Sequence, residues 1–280
     1  MSPRDPKRRV PRRATSTPPS IPLVPAPPLA YENPEFLRSE AARPLRILAE
    51  YLEPLSAFCR HNIQETIVFF GSARITPDGP LGRYYREARE LARLLTSWSR
   101  GLSSAANRYI VCTGGGPGIM EAANRGAAEA GGKTIGLNIS LPREQHPNPY
   151  ITPELSFEFR YFFMRKLWFA HLARALVVFP GGFGTLDELT EMLTLEQTEK
   201  LDCPIRILMY GSSYWREILN FDALARHGMI SPEDLQLFAF ADDPSSAFAL
   251  LQAWLGPEPA RSTPAFAGSH PDGADDYGAT

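Results

Sequence analysis

Three short apolar runs in this chain share one arrangement, in which each run ends at a glycine-bearing turn and a segment with helical periodicity follows. The runs are residues 66–70, 109–112 and 175–179, and the turns are residues 71–72, 114–118 and 181–185. Apolar runs of this length are typical of strands buried on both faces of a parallel sheet. Strands that alternate with helices predict an α/β fold, with a doubly wound parallel sheet and helices on both of its faces.

The other periodic segments extend this alternation into a three-layer, Rossmann-like order. Further strands are predicted over residues 134–137 and 204–209. Helices are predicted over residues 44–60, 81–99, 161–173 and 244–255, and from the 114–118 loop to residue 130. Two more helices are predicted to begin at residues 185 and 214. Ligands of such sheets bind beyond the carboxyl ends of the strands. Because all three glycine turns follow strands at that edge, we expect them to converge on one cleft.

The chain of 280 residues, 44% of them hydrophobic, predicts one domain between two tails. A single domain over residues 31–256 is long enough to bury one large core. Residues 1–30 are rich in arginine and proline, and residues 257–280 in proline, glycine, alanine and aspartate. Both compositions predict disordered tails. The basic cluster of the first tail could touch RNA or an acidic surface, although a solvated leader is the preferred interpretation.

Charge and cysteine content limit the partners and the compartment. A net charge of −2 gives no reason to expect nucleic-acid binding. Cys59, Cys112 and Cys203 lie far apart, which argues against a zinc site or a disulfide framework and fits a reducing compartment. No run approaches the roughly 18 apolar residues of a membrane span, and the N-terminus lacks the apolar core of a secretory signal. A cytoplasmic enzyme without a metal or a membrane partner is therefore expected.

The segment 180–188 reads Pro-Gly-Gly-Phe-Gly-Thr-Leu-Asp-Glu and joins a strand to a helix. Its glycines let the backbone bend and let a ligand approach the amides. The free N–H groups and the positive dipole end of the helix then face the turn, which predicts a site for an anion, most plausibly a phosphate. Glu188 follows Thr185 by one helical turn and lies on the same side of the helix.

Three other classes of nucleotide or cofactor enzyme fit the sequence poorly. Residues 114–119 do not supply Gly-x-Gly-x-x-Gly, because Pro117 or Ile119 occupies a required glycine position, and Asn138 replaces the acid that would hold a ribose diol. Neither glycine loop ends in Gly-Lys-Ser/Thr, as a Walker-type NTPase requires. A pyridoxal phosphate enzyme needs a lysine to form an aldimine with the cofactor. The chain has only four lysines, and Lys166 is the only one inside a motif, so this class has little support.

Four segments, taken in order, resemble the signature of the LOG family, whose members were long labelled "lysine decarboxylase-like" and include cytokinin-activating phosphoribohydrolases. Residues 180–188 match Pro-Gly-Gly-x-Gly-Thr-x-x-Glu at every fixed position. The other segments are Phe-Gly-Ser-Ala-Arg at 70–74, Gly-Gly-Gly-Pro-Gly-Ile-Met-Glu at 114–121 and Phe-Phe-Met-Arg-Lys at 162–166. The plant-type short forms have a histidine where this chain has Phe163, and this chain carries extra helices at both ends, so it resembles the longer, bacterial branch.

The resemblance implies a hydrolase that cleaves the N-glycosidic bond of a nucleoside 5′-monophosphate and releases the free base and ribose 5-phosphate. The substrate would be AMP, an N6-modified cytokinin nucleotide, or both. No cofactor is implied. The resemblance does imply a homodimer or larger homo-oligomer, with the site near the subunit interface. The aromatic stretch 157–168 could supply that interface or simply pack in the core.

Glu188 and Arg165 are the predicted catalytic residues. Cleavage builds positive charge on the ribose, and Glu188 can stabilise this charge and orient or deprotonate the attacking water. Arg165, which the resemblance places in the active site, stays charged at any working pH and would act by electrostatics or hydrogen bonding. In the alternative interpretation, Thr185 and Glu188 form a capping box that satisfies helix amides and does no chemistry.

The phosphate and the rest of the nucleotide are predicted to contact residues of all four segments. These residues are Gly71, Ser72, Gly115, Gly116, Met164, Lys166, Gly181, Gly182, Gly184, Thr185 and Glu191. Several have other interpretations: Met164 could fill the core, Lys166 could belong to a charged helix face, and Glu191 could be a solvated surface charge. Arg74 could bind phosphate, although exposure at the end of the strand is favoured, and Glu121 could cap a helix or contact the ligand.

A second class of function stays open. A non-catalytic carrier or sensor, for a nucleotide or for molybdenum cofactor, would keep the glycine turns but would have less need of Arg165 and Glu188. The presence of both residues favours the enzyme.

Overall fold

The computed structural model of the protein describes residues 26–102, 107–141, 146–201 and 203–256. The predictions of disorder at residues 1–25 and 257–280 lie outside the described residues, and the single domain over residues 31–256 stays a prediction. The chain divides into two compact units between Arg43 and Pro44. The first unit holds 3-10 turns at Ala30–Glu32 and Glu40–Ala42 and helix α1 (Pro34–Arg38), whose first amides donate to the side chain of Asn33.

Seven parallel strands form one sheet in the second unit. They are β1 (Thr66–Phe70), β2 (Ile110–Thr113), β3 (Thr134–Ile139), β4 (Ser156–Phe159), β5 (Ala173–Val178), β6 (Arg206–Tyr210) and β7 (Phe238–Ala241). Their order across the sheet is β4-β3-β2-β1-β5-β6-β7, so the chain reverses its direction of progress between β1 and β5. Such a switch point is where the loops above a parallel sheet diverge and leave a crevice for a ligand.

Helices cover both faces of this sheet. They are α2 (Arg43–Arg60), α3 (Gly82–Arg100), α4 (Ile119–Glu129), α5 (Phe162–His171), α6 (Phe183–Gln197), α7 (Ser212–Ile218), α8 (Phe221–Arg226) and α9 (Pro244–Leu255). Residues of α3, α4 and α9 pack on one face with Ile67 and Phe69 of β1, whereas residues of α2, α5, α6 and α7 pack on the other with Val68 and Phe70. The three-layer α/β fold predicted from the sequence is therefore confirmed.

The predicted strands and helices are present, but the sequence patterns missed elements at the rims of the sheet. Strand β4 alternates buried and exposed residues, and the short β7 is mostly half-buried, so neither shows the continuous apolar run of a central strand. The short helix α8 was also missed. Helix α6 begins at Phe183, two residues before the predicted start, because the glycine turn itself contributes to its first turn.

Candidate active site

A cleft of about 890 Å³ opens above the carboxyl ends of β1, β2 and β5, where the three glycine turns converge. The predicted site residues that line it are Gly71, Ser72, Arg165, Gly181, Gly182, Gly184, Thr185 and Glu188. Gly114, Met120, Phe183, Leu186, Tyr214, Ile218 and much of the 73–81 loop complete the wall. A smaller cavity of about 170 Å³, beside Arg100 and Lys133, lies at the opposite edge of the sheet.

Hydrogen bonds fix the turn after β5 from two sides. The amide of Ser72 donates to the carbonyl of Pro180 at 3.0 Å, which joins the turns after β1 and β5. On the other side, the Tyr214 hydroxyl donates to the carbonyl of Gly181 at 2.7 Å. Beneath it, the indole of the fully buried Trp215 donates to the carbonyls of Val178 and Tyr210, each at 3.0 Å. The turn is thus held in place by its neighbours before any ligand binds.

The three glycines of this turn differ in whether the fold has room for a side chain at their positions. A Cβ on Gly181 would lie 2.1 Å from Oγ1 of Thr185, so packing excludes a side chain there. A Cβ on Gly182 or Gly184 would meet nothing within 4 Å, and neither residue has a positive φ. The fold therefore does not require glycine at these two positions. Glycine at both positions leaves the backbone open to close approach by a ligand, as the sequence predicts.

The first turn of α6 is left open for that ligand. Gly182 is the N-cap of the helix, and no side chain among the described residues caps it. The capping box that Thr185 and Glu188 could have formed is not present. Instead the carboxylate of Glu188 accepts a hydrogen bond from Arg165 of α5, and the first turn of α6, at the positive end of the helix, stays the predicted anion site.

Glu188 and Arg165 form a buried ion pair beside this anion site. Nη2 of Arg165 lies 2.9 Å from Oε1 of Glu188, and the two side chains are 12% and 6% exposed. Burial raises the pKa of Glu188 above its ordinary value of 4.5, while the charge and hydrogen bond of Arg165 act in the opposite direction. Nε of Arg165 is buried and has no hydrogen-bond partner among the described residues.

Three predicted binding residues on α5 and α6 do not line the cleft. Met164 is buried in the core on the α5 side of the sheet. Nζ of Lys166 lies 2.8 Å from a carboxylate oxygen of Asp187 and 3.1 Å from one of Glu191. Lys166 and Glu191 are therefore partners in an ion pair outside the cleft. Contacts of these three residues with a nucleotide stay a prediction.

Gly115 and Gly116 are buried in the turn after β2 rather than placed in the cleft wall. Gly115 has a φ of +73°, and a Cβ there would lie 2.2 Å from Oδ1 of Asn138. The side chain of Asn148 donates to the carbonyls of both glycines at 3.1 Å and to Oδ1 of Asn124 at 2.9 Å. This buried amide network fixes the turn that places Gly114 in the cleft.

Sequence reasoning missed the residues that support the turns. Asn148 lies in the 142–149 stretch, where no periodicity indicates its position, and Tyr214 marked only the predicted start of a helix. Arg74, whose role was left open, is exposed and lines the cleft. Glu121 accepts a hydrogen bond from the hydroxyl of Tyr85 at 2.8 Å.

Neither a metal site nor a membrane span is found in the part of the chain that the structure describes. No group of three or more His, Cys, Asp or Glu side chains there is placed to hold a metal ion. No helix among residues 26–102, 107–141, 146–201 and 203–256 is long and apolar enough to cross a bilayer.

Comparison with solved structures finds weak likenesses at the level of the fold. The Moco carrier protein of Chlamydomonas reinhardtii superposes with a TM-score of 0.46 at 22% identity, covering 69% of this chain and 98% of that one. The molybdenum cofactor binding protein of Rippkaea orientalis gives a TM-score of 0.46 at 18% identity, covering 68% and 96%. Likenesses of this strength carry no argument about function.

Sequence comparison identifies relatives of one kind. Cytokinin riboside 5′-monophosphate phosphoribohydrolase LOG3 of Arabidopsis thaliana is 29% identical over 62% of this chain and 75% of its own length. The probable enzymes LOGL6 and LOGL5 of Oryza sativa are 27% and 28% identical, over 71% and 53% of this chain. The matched stretch spans only 60% of the length of LOGL5 and 74% of that of LOGL6.

A family model described as "Possible lysine decarboxylase" matches residues 120–251. This stretch includes α5, with Arg165, and the strand, turn and helix that present Glu188. The family match and the relatives agree with the four ordered motifs, and over this stretch the chain is similar to proteins of the LOG family.

Proposed function

We propose that this protein hydrolyses the N-glycosidic bond of a nucleoside 5′-monophosphate, AMP or an N6-modified cytokinin nucleotide. The observation that carries the proposal is the buried pair of Arg165 and Glu188 one helical turn from an open helix N-terminus. An anion site and a carboxylate on the same helix suit a substrate that is held by its phosphate and cut at its ribose. The curated relatives, which are named as phosphoribohydrolases, support the same reaction class.

In the proposed reaction the bond between C1′ and the base nitrogen breaks, and the oxygen of a water molecule bonds to C1′. The bond electrons leave with the base, which takes up a proton from solvent, and the proton that the attacking water loses is returned to solvent after the step. The carboxylate of Glu188 stabilises the positive charge that builds on the ribose and accepts a proton from the water. Arg165, which lines the cleft, orients this carboxylate by its hydrogen bond; a permanent guanidinium cannot serve as the proton donor.

Release of free base from AMP and from isopentenyl-AMP, followed by chromatography, tests this proposal. We expect Glu188→Gln to lose at least about 100-fold in kcat, as removal of a general base typically does. Glu217→Gln, which replaces an exposed glutamate on α7, is the matched control and should leave the rate unchanged. The relative rates on the two substrates rank them.

A binding measurement on the same purified protein distinguishes a hydrolase from a protein that only carries a ligand. Binding of AMP is measured by calorimetry with the wild type and with Glu188→Gln. A wild-type protein that binds AMP tightly but releases no base would overturn the hydrolase proposal and favour the carrier or sensor alternative.

The proposal includes a homodimer or larger homo-oligomer in the cytoplasm. Phe162, Phe163 and Leu167 expose 52%, 51% and 40% of their surface on α5, the helix that also carries Arg165. Exposed apolar side chains that cluster on one helix favour a subunit contact near the cleft. Cys59 and Cys112 are free thiols, in keeping with a reducing compartment. Light scattering on the purified protein measures the oligomeric state, and a monomer at micromolar concentration would contradict this part of the proposal.

A further inference from the structure

Two neighbouring ion pairs join α5 to α6 at the edge of the cleft. Consecutive residues of α5, Arg165 and Lys166, face consecutive residues of α6: Arg165 meets Glu188, and Lys166 meets Asp187. Lys166 also contacts Glu191, one turn further along α6. The first pair lies in the cleft, whereas the second lies outside its wall.

The second pair is built around the lysine. Its ammonium lies 2.8 Å from a carboxylate oxygen of Asp187 and 3.1 Å from one of Glu191. The lysine side chain is 19% exposed, against 55% for Asp187 and 32% for Glu191. An ammonium that two carboxylates hold in this way has little freedom to reach a nucleotide in the cleft, although the sequence predicted such a contact.

The charge of Lys166 balances part of the negative charge around Glu188. With Glu188 included, the five side chains carry two positive charges and three negative ones, a net charge of −1, and without the lysine the net charge would be −2. The charge of Asp187 acts to raise the pKa of Glu188, whereas that of Lys166 acts to lower it. Glu191, three residues after Glu188, lies on the same face of the helix. We propose that Lys166 is a positioning residue that acts on Glu188 through charge: it offsets Asp187 and Glu191, so that Glu188 meets the substrate as a carboxylate. The inference rests on the proposed catalytic role of Glu188.

The other ionisable groups around Glu188 do not take over this role. Arg165 is already bonded to Glu188, and Arg74, which lines the same cleft, is exposed. The buried thiol of Cys112 on β2 has a pKa that burial raises well above its ordinary value, so it stays neutral. Burial acts to lower the pKa of Lys166, but the hydrogen bonds of Asp187 and Glu191 outweigh it and the pKa is raised, so the lysine is charged throughout the working range.

Two substitutions of opposite sign test the inference. Lys166→Met keeps the apolar stem and removes the charge, so the pKa of Glu188 should rise by about half a unit, a shift discounted for the exposure of the carboxylates. Asp187→Asn removes a repelling charge, so the same pKa should fall by a similar amount. The double variant should return close to the wild-type value, and so should Lys166→Arg, which keeps the charge. Lys200→Met, an exposed lysine beyond the end of α6, is the control for net charge.

The direct measurement is a carbon-13 NMR titration of the glutamate carboxyl groups in the ligand-free protein, with the Glu188 signal assigned by its loss in Glu188→Gln. It needs no turnover, so it stands even if AMP is not hydrolysed. A hydrolytic enzyme should also show the acid limb of its kcat/KM profile above pH 4.5, displaced in each variant by the same amount as the titration. A carboxylate base works only above its pKa.

Opposite shifts in the two single variants support the inference. Shifts in the same direction would indicate a general disturbance of the helix contact, and the absence of any shift would show that the lysine does not influence Glu188; either result overturns it. If Lys166→Met fails to fold, Lys166→Gln takes its place in the comparison, because Asp187→Asn alone reports on the aspartate and not on the lysine. The Asp187 side chain is 55% exposed, so its replacement leaves the packing intact. Opposite shifts without base release would leave the charge effect standing and overturn the hydrolase proposal instead.

Discussion

At the residue scale, Gly184 shows how a position can be tuned for a ligand rather than for the fold. It lies in the first turn of α6 with an ordinary φ, and open space surrounds the site of its missing Cβ. A residue with a side chain would fit the free protein at this position. It would also fill the space from which an anion would reach the helix amides in the proposed site.

Gly184→Ala should therefore stabilise the protein while it weakens phosphate binding. We expect the free energy of unfolding to rise by about 0.5 kcal/mol, because alanine loses less backbone entropy in a helix than glycine does. The Kd for ribose 5-phosphate should rise at least about tenfold. Urea unfolding and calorimetry measure the two effects. Gly181→Ala is the contrasting variant, since its Cβ would collide with Thr185, and it should lower stability. Unchanged ribose 5-phosphate binding in Gly184→Ala would contradict an anion site here.

At the element scale, helix α7 braces the turn that precedes α6. Trp215 anchors α7 to the ends of β5 and β6, and Tyr214, the next residue toward the N-terminus, reaches the carbonyl of Gly181. A carbonyl held in this way cannot rotate toward the anion site. The brace thus links the packing of one helix to the backbone geometry at the start of another.

Tyr214→Phe keeps the ring and removes the hydrogen bond. We expect the Kd for ribose 5-phosphate and the KM for AMP to rise about fivefold, the worth of a single hydrogen bond, with kcat changed less than twofold. Calorimetry and steady-state kinetics provide these values. Tyr51→Phe, a half-buried tyrosine that stacks on Trp168, is the control for loss of a hydroxyl group. A fall in kcat without a rise in KM would argue that Tyr214 acts on the chemical step instead.

At the scale of the whole molecule, the two edges of the sheet differ in structure: one is open to solvent at a cleft, and the other is stabilised by buried ion pairs. The carboxyl edge carries the open turns and the cleft, whereas the amino edge carries a buried ion cluster. Glu65, which is fully buried just before β1, lies 2.5 Å from Nε of Arg108 and 3.6 Å from Nε of Arg174. A buried carboxylate between two arginines stabilises only as long as it stays paired.

Glu65→Gln should destabilise the whole molecule without changing the site. The loss of the charge leaves the two guanidinium groups without their carboxylate, and we expect the free energy of unfolding to fall by about 3 kcal/mol. The Kd for ribose 5-phosphate, measured well below the unfolding temperature, should stay within twofold of wild type. Glu158→Gln, an exposed glutamate on β4, should change neither quantity. A large loss of ligand affinity in Glu65→Gln would show that the two edges are coupled.

Much of the fold could be read from local pattern because the central strands are buried on both faces. Strands β1, β2 and β5 are therefore buried along their whole length and mostly apolar, and the glycine turns after them mark the edge where ligands of parallel sheets bind. The edge strands β4 and β7 carry no such pattern, since a strand at the rim is only partly covered. The capping box was a local alternative for Thr185 and Glu188 that only the position of Arg165 could exclude.

The sequence by itself determined the layered parallel fold, the three glycine turns at one edge of the sheet, and the choice of Arg165 and Glu188 as partners in one site. These follow from periodicity, glycine placement and ordered motifs, which are local properties of the chain. Only the tertiary structure decided that Lys166 pairs with Asp187 and Glu191, that Asn148 fixes the turn after β2, and that Tyr214 braces the turn before α6. Those contacts join residues on different elements, and which side chains meet there depends on how the helices pack against the sheet.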